Sequence, residues 1–121
     1  MLVFSNVGII KKDATTWYRR SAYNGNPEGQ YYYGTCFEEG IGVPIDYRKA
    51  TSWYKISGEN GYGLASYNLG RCYKRGFGVP LDLDVALKWI KRSALQEFDK
   101  GQYLLGWYYE SSDKKEEAIY W

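Results

Sequence analysis

A segment of 25 residues occurs twice in this chain at a fixed spacing. Residues 33–57, YGTCFEEGIGVPIDYRKATSWYKIS, return at 69–93 as LGRCYKRGFGVPLDLDVALKWIKRS, 36 positions later. Both copies contain a Gly-x-Gly-Val-Pro turn, at 40–44 and at 76–80. A period in this range is typical of solenoids, in which each unit buries its apolar face against its neighbours. The repeat therefore constrains the fold more than any single motif does.

One helix of the repeat, here called helix B, is predicted from the phrase Ala-x-x-Trp. The phrase begins at Ala14, Ala50 and Ala86. Small and aromatic residues three and four positions apart place one apolar stripe on a helix. Asp46 and Asp82 precede the second and third copies, where a carboxylate can cap free backbone N–H groups and complement the helix dipole.

The other helix of the repeat, helix A, is predicted over residues 27–39, 63–75 and 98–110. A glycine occupies the same position in every copy, as Gly34 and Gly70 show. Glycine inside a helix costs about 1 kcal/mol relative to alanine. We therefore expect a packing reason for it, namely the close approach of a neighbouring helix, and we expect the aromatic stripe of helix A to be core.

The repeat positions divide the chain into an array with partial units at both ends. Residues 1–12 lack the turn and are expected to be a tail or a degenerate element. The array is expected over residues 13–121, with a helix B at 13–24, repeats at 27–60 and 63–96, and a partial repeat at 98–121. In the partial repeat a turn four residues shorter, around Ser111, replaces Gly-x-Gly-Val-Pro. Such ends favour a fragment of a longer array, or ends that partners cover.

The composition restricts the available chemistry. The chain has no histidine and two cysteines. Zinc sites use mainly Cys and His ligands, and histidine is the commonest general base near neutral pH, so both kinds of site are nearly excluded. Glu38, Glu39 and Lys74 are the clustered acid–base candidates, but adjacent glutamates on one helix point in different directions. We expect no metal, no other cofactor and no enzymatic activity.

The two cysteines, Cys36 and Cys72, occupy equivalent positions in successive repeats. Packed helices lie about 8–10 Å apart, beyond the roughly 7 Å Cα separation that a disulfide tolerates. We expect two buried, reduced thiols, which favours an intracellular, reducing location. No apolar run is long enough for a membrane span, and the N-terminal charge order is not that of an export signal.

With these positions placed, the chain resembles the Sel1-like repeat family, relatives of the tetratricopeptide solenoids. The resemblance covers residues 13–121 and rests on ASYNLGRCY at 65–73, the Gly-x-Gly-Val-Pro-x-Asp turn and the Ala-x-x-Trp helix. It departs from the family at Gly29 and Gly101, where alanine is usual, and at the short third turn. The implied fold is an all-α, right-handed superhelical solenoid of about three helix-turn-helix repeats, with partial repeats at both ends.

The resemblance also implies a function. Proteins of this family are non-catalytic adaptors, and related solenoids present helix A on a concave face. Carried over by position, the partner-binding residues would be Glu28, Tyr31, Thr35, Glu38, Glu39, Leu64, Tyr67, Arg71, Lys74, Arg75, Lys100, Tyr103, Trp107, Glu110 and Ser111. Independently of the resemblance, their spacing of three and four positions places these residues in one stripe along each helix A.

The charge of this stripe changes between repeats, from acidic in the first helix A to basic in the second. One interpretation is a groove for a peptide of mixed charge, with Trp107 as an aromatic anchor. The other is that acidic and basic residues on neighbouring helices pair with each other across a solvated groove. The sequence leaves both open.

The leading functional hypothesis is a protein–protein interaction scaffold, as a subunit or fragment of a larger assembly, or a homo-oligomer that covers the open ends. Its partner would be a protein or peptide segment. An alternative is an inhibitor or immunity-type protein that blocks an enzyme. A remote alternative is a nucleic-acid-associated subunit that uses Lys11, Lys12, Arg19, Arg20, Lys91 and Arg92. The net charge of +2 and the interspersed acidic residues argue against nucleic acid.

Overall fold

The computed structural model describes the backbone of residues 2–96 and the side chains of residues 13–96. This part of the chain consists of helices, with no strand. The helices are α1 (Leu2–Tyr23), α2 (Pro27–Glu39), α3 (Tyr47–Glu59), α4 (Gly63–Arg75) and α5 (Leu83–Gln96). Each packs against the helix that follows it in the chain. The odd-numbered helices are copies of helix B and the even-numbered ones copies of helix A, which confirms an all-α repeat solenoid.

The first helix is longer than the repeat pattern predicts. The sequence predicts a helix B at 13–24, preceded by a tail or degenerate element at 1–12, and α1 extends from Leu2 to Tyr23. Residues 2–12 contain no proline, the residue that would most strongly interrupt a helix. Their failure to align with the repeat therefore reflects a missing turn and not a break in the helix.

The helix ends follow the predicted capping. Asp46 Oδ1 accepts a hydrogen bond from the Lys49 backbone N–H at 3.0 Å, and Asp82 Oδ1 accepts one from the Val85 N–H at 3.1 Å. Gly40 ends α2 in the left-handed conformation, with φ of 72°. A residue with a Cβ is strained in that conformation, so the glycine of the turn has a backbone reason.

The glycine inside helix A has the expected packing reason. A Cβ placed on Gly34 would lie 2.9 Å from the ring of Tyr54 and 3.1 Å from the carbonyl oxygen of Ala50, both on α3. One repeat later, a Cβ on Gly70 would lie 2.7 Å from Cγ1 of Ile90 on α5. The missing side chain therefore lets helix A approach helix B of the same repeat until backbone and side chain touch.

Hydroxyl groups join the helices at repeat-equivalent positions. Ser57 Oγ donates to the carbonyl of Pro27 at 2.6 Å, across the hairpin of one repeat. Thr15 Oγ1 donates to the carbonyl of Ile41 at 2.5 Å, which joins a helix B to the turn of the next repeat. Since a buried carbonyl without a partner is costly, the Ser57 bond fixes the hairpin within a unit, and the Thr15 bond fixes how successive units stack.

The two cysteines are buried, as expected, and are not joined by a disulfide. Burial is the main cause that raises the pKa of the Cys36 thiol and of the Cys72 thiol. Both are therefore protonated at neutral pH and pack as small apolar residues.

Candidate functional site

The carboxylate of Glu38, on α2, accepts hydrogen bonds from side chains of two other helices. Tyr54, on α3, donates its hydroxyl to Glu38 Oε1 at 2.8 Å. Arg71, on α4, donates from Nη2 to Oε1 at 3.1 Å and to Oε2 at 3.0 Å. Because Glu38 itself lies on α2, these bonds tie two successive copies of helix A to the helix B between them. We call Glu38, Tyr54 and Arg71 the carboxylate cluster.

Burial differs within the carboxylate cluster. Tyr54 is fully buried, whereas the Glu38 and Arg71 side chains keep 21% and 29% of their surface exposed. The ion pair is therefore the part of the cluster that an incoming molecule can reach. Its contribution to stability is modest, because a pair that remains in contact with water is screened.

Electrostatics fix the protonation of both donors. Burial raises the pKa of Tyr54 far above its usual value, and the Glu38 carboxylate acts in the same direction. Burial by itself would lower the pKa of Arg71, but the attraction of Glu38 outweighs it and raises that pKa. Tyr54 therefore remains a hydrogen-bond donor and Arg71 a cation over the physiological pH range.

An aromatic row runs beside the carboxylate cluster. The Tyr31 ring lies 5.8 Å from the Tyr54 ring, 5.3 Å from Tyr62 and 5.2 Å from Tyr32, measured between centroids. The Tyr32 ring stacks on Tyr18 of α1 at 5.1 Å. Such ring pairs contribute attraction beyond the area they bury. We define Tyr18, Tyr31, Tyr32 and Tyr62 as the aromatic row, which extends from α1 across α2 to the start of α4.

Two small polar side chains connect the row with the cluster. Thr35 Oγ1 donates to the carbonyl of Tyr31 at 3.1 Å and lies 3.3 Å from the hydroxyl of Tyr54. Asn68 donates from Nδ2 to the hydroxyl of Tyr31 at 3.4 Å. The structure thus brings together four of the residues that the sequence assigns to partner binding, namely Tyr31, Thr35, Glu38 and Arg71.

Five residues of this surface are absent from the partner-binding set predicted from sequence, namely Tyr18, Tyr32, Tyr54, Tyr62 and Asn68. Tyr62 directly precedes the second repeat, Asn68 lies beside the predicted stripe of its helix A, and Tyr54 belongs to the apolar stripe predicted for helix B. The equivalent of Tyr54 in the next repeat is Ile90, which has no hydroxyl. A tyrosine where the repeat also accepts isoleucine was the available signal for a polar role.

The other predicted residues within the described range lie along the same helices, α2 and α4. Exposed side chains are those of Glu28, Glu39 and Arg75, and half-buried ones are those of Leu64, Tyr67 and Lys74. Burial lowers the pKa of Lys74, and the neighbouring charge of Arg75 lowers it further. The remaining residues, Lys100, Tyr103, Trp107, Glu110 and Ser111, lie outside the described part of the chain.

Among the residues that the structure describes, no three His, Cys, Asp or Glu side chains are grouped so that they could hold a metal ion. No helix in the described range combines the length and the apolar character needed to cross a membrane.

Comparison with known families identifies the repeat. The model of the Sel1 repeat matches four segments of the chain, at 10–26, 27–62, 63–98 and 99–121. The chain is a Sel1 repeat protein. Two of the matched segments span a whole unit and correspond to α2 with α3 and to α4 with α5. Sel1 repeat proteins are in general protein-interaction scaffolds.

Solved structures agree with this assignment. A Sel1 repeat protein from Oxalobacter formigenes is 29% identical, with a TM-score of 0.78, over 82% of this chain and 29% of its own. The antigen c5321, described as protective and present in uropathogenic Escherichia coli strains, displays an SLR fold. It is also 29% identical with a TM-score of 0.78, over 84% of this chain and 22% of its own. The present Sel1 repeat protein thus spans less than a third of the length of either. Comparison with curated protein sequences gave no significant match.

Proposed function

We propose that this Sel1 repeat protein is a non-catalytic scaffold that binds a segment of a partner protein across α2 and α4. The observation that supports this most is the carboxylate cluster, which joins three helices while the Glu38–Arg71 pair stays partly exposed. Side chains that already hold one another lose little freedom when a partner arrives, which favours binding. The adjoining aromatic row supplies amphipathic surface of the type enriched at binding hot spots.

The charges indicate what such a segment would carry. Glu38 and Arg71 neutralise each other, in accord with the pairing interpretation for these two residues. Arg75 at the end of α4 and Glu39 at the end of α2 are exposed. A segment with an acidic residue over α4 and a basic residue over α2 would complement both ends. Aromatic or apolar side chains between them would lie on the aromatic row.

Non-catalytic function is supported by the state of the clustered groups. The best-placed carboxylate, Glu38, is bonded to an arginine and to a tyrosine hydroxyl. Burial keeps the Tyr54 hydroxyl protonated, so it is not available as a base. An acid–base catalyst needs a group that exchanges its proton near the operating pH, and neither donor of this cluster does so.

The test is affinity purification from the native source with two charge-reversal variants. Lys74→Glu with Arg75→Glu changes the end of α4, whereas Arg48→Glu with Lys55→Glu makes the same change in net charge at exposed positions of α3. We expect the first variant to lose the co-purifying protein and the second to retain it. Equal recovery with both variants, or equal loss, would contradict binding across α2 and α4.

A photo-crosslinking amino acid at Tyr67 provides a second readout that does not depend on charge. Tyr67 is half-buried on α4, and Lys55 on α3 is the exposed comparison position. The partner should crosslink from position 67 and not from position 55. Because crosslinking reports contact directly, it separates a binding surface from a charge effect on solubility.

A further inference from the structure

The three copies of helix B carry the same four residue positions but differ in how far these are covered. The positions are occupied by Ala14, Trp17, Tyr18 and Ser21 in α1, by Ala50, Trp53, Tyr54 and Ser57 in α3, and by Ala86, Trp89, Ile90 and Ser93 in α5. In α3 and α5 the first, third and fourth are at most 1% exposed. In α1 the same three are half-buried, and Trp17 is 67% exposed where its equivalents are half-buried.

In the interior repeats, helix A of the same unit covers these positions of helix B, and each position has its own contact. The Ser57 hydroxyl donates to the carbonyl of Pro27, the first residue of α2. Six positions further along, the Tyr33 ring packs against Trp53 with centroids 5.1 Å apart. Gly34 follows directly and lets Tyr54 touch the helix backbone.

In the second complete unit, α4 makes the equivalent contacts with α5 through other residues. Ser93 Oγ donates to the carbonyl of Gly63, the first residue of α4, at 3.0 Å. Leu69 takes the place of the aromatic residue, and Gly70 approaches Ile90. Two independent copies therefore define what a covering helix must contain. It needs a carbonyl at its first residue that a serine hydroxyl can reach, a leucine or aromatic residue six positions on, and a glycine directly after that.

Of the described helices, α2 is the main neighbour of α1, and it belongs to the next unit. The C-terminal end of α1 also contacts α3, where the Tyr23 ring lies 5.1 Å from that of Trp53. Helix α2 contacts α1 through Tyr32, which stacks on Tyr18, and through Gly29, which lies against the hydroxyl of Ser21. An open depression lies beside the Ser21 end of this face. It is lined by Trp17, Arg20, Ser21, Asn24, Gly25 and Asn26.

We propose that the face of α1 formed by Ala14, Trp17, Tyr18 and Ser21, the α1 face, binds a helix A from another Sel1 repeat unit. The first turn of that helix lies over the depression and accepts a hydrogen bond from Ser21. Its glycine lies over Tyr18, and the leucine or aromatic residue before the glycine covers Trp17. Helix A is the expected occupant because the equivalent residues of the next unit, Ser57, Tyr54 and Trp53, make these same contacts with the helix A of their own unit.

A graft tests this directly. Replacing residues 1–10 of the full chain with a copy of residues 27–46 supplies a helix A and its turn in register, because Lys11 stands where Tyr47 follows Asp46. Hydroxyl-radical footprinting read by mass spectrometry then measures the oxidation rate of Trp17, with Trp53 as internal reference. We expect the Trp17 rate to fall to that of Trp53 and the melting temperature to rise.

The control is the same graft with Gly34→Leu in the grafted copy only. A leucine there prevents the close approach, so Trp17 should remain as reactive as in the unmodified chain. Protection by both grafts, or by neither, would overturn the proposal.

Sedimentation velocity of the unmodified chain tests whether a second copy of this chain already covers the α1 face. A dimer in which Trp17 is already protected would show that a second copy covers the α1 face, and would refute a separate helix A.

The α1 face shares Tyr18 with the aromatic row, but the charged ends proposed to bind the partner segment lie on α2 and α4. Lys74→Glu with Arg75→Glu should leave the protection of Trp17 by the graft unchanged. Loss of partner recovery and loss of Trp17 protection are therefore separate outcomes.

Discussion

Arg71 Nη2 lies 3.0 Å from Glu38 Oε2 and so joins two successive copies of helix A through their side chains. Both side chains keep part of their surface exposed. The pair is thus suited to orienting a surface and contributes little to stability, since exposed ion pairs contribute at most about 1 kcal/mol.

A double-mutant cycle measures this contribution. With Glu38→Gln and Arg71→Met we expect a coupling of about 0.5–1 kcal/mol in the free energy of unfolding, which becomes smaller at high salt. Urea denaturation at low and high ionic strength provides the values. Arg75→Met, which changes an exposed arginine of the same helix, should change stability by less than about 0.5 kcal/mol. A coupling well above this range that does not respond to salt would contradict a partly exposed pair.

The pKa of Tyr54 predicts how stability depends on pH in the alkaline range. Its folded-state pKa is raised above the usual tyrosine value of 10.0, chiefly by burial. The unfolded chain therefore releases this proton near pH 10 while the folded chain keeps it, so stability is full below pH 10 and falls as pH rises above it. Each pH unit beyond 10 costs about 1.4 kcal/mol per such group.

We therefore expect Tyr54→Phe to lose less stability between pH 9 and pH 11 than the parent chain, by about 1.4 kcal/mol. Urea denaturation at the two pH values measures the difference. Thr35→Val removes a neighbouring hydroxyl without removing a titrating group, so its loss over the same interval should match that of the parent. If Tyr54→Phe retained the full alkaline loss, Tyr54 would not be the buried titrating group.

Much of this fold follows from the 36-residue period because the repeat constrains local structure. The caps at Asp46 and Asp82 and the close approach at Gly34 are each decided by one unit, so the sequence predicts them. The carboxylate cluster is different. It joins Glu38 to an arginine 33 positions later, which the period does not specify. The spacing predicted a shared stripe but could not decide between pairing and partner binding.

The turn glycines separate backbone strain from steric contact. Gly78 has φ of 73°, and a Cβ there would collide with the backbone carbonyl of Tyr47 and lie 2.7 Å from Thr51 Oγ1. Gly61 has φ of 97° and open space around it. Both alanine variants incur the cost of a left-handed residue, about 1–2 kcal/mol, but Gly78→Ala should lose about 1–3 kcal/mol more. Urea denaturation of both variants checks the difference, and equal losses would show that the turn does not pack on α3.

Ala14 of the α1 face and its buried equivalent Ala86 allow the same substitution to be compared at two degrees of burial. Ala86 on α5 is fully buried, and its carbonyl oxygen would lie 3.1 Å from a Cβ on Gly70. Ala86→Leu should therefore overpack the crossing and cost about 1–3 kcal/mol. Ala14→Leu places the same side chain at the equivalent, half-buried position of α1, where we expect a loss below about 1 kcal/mol. A melting temperature unchanged by Ala86→Leu would contradict the helix crossing described above.

Stacking between units depends on a threonine that does not recur throughout the array. Thr51 Oγ1 donates to the carbonyl of Phe77 at 3.0 Å, as Thr15 does to that of Ile41. At the equivalent position before the third, shortened turn stands Leu87, so the hydroxyl is missing where the Gly-x-Gly-Val-Pro turn is missing. The threonine thus accompanies this turn type.

Thr51→Val keeps the shape of the side chain but leaves the Phe77 carbonyl without this donor, which should cost about 1–3 kcal/mol. Ser52→Ala is the control, because Ser52 is exposed and its hydroxyl bonds only to the Arg48 carbonyl of its own helix, so we expect a loss under about 0.5 kcal/mol. Hydrogen exchange adds a local readout. Thr51→Val should speed exchange at the amides of residues 76–79 before that of α2, because the bond it removes holds the second turn against α3. Uniform acceleration along the described helices would instead indicate global destabilisation, with no specific role for Thr51 in joining the units.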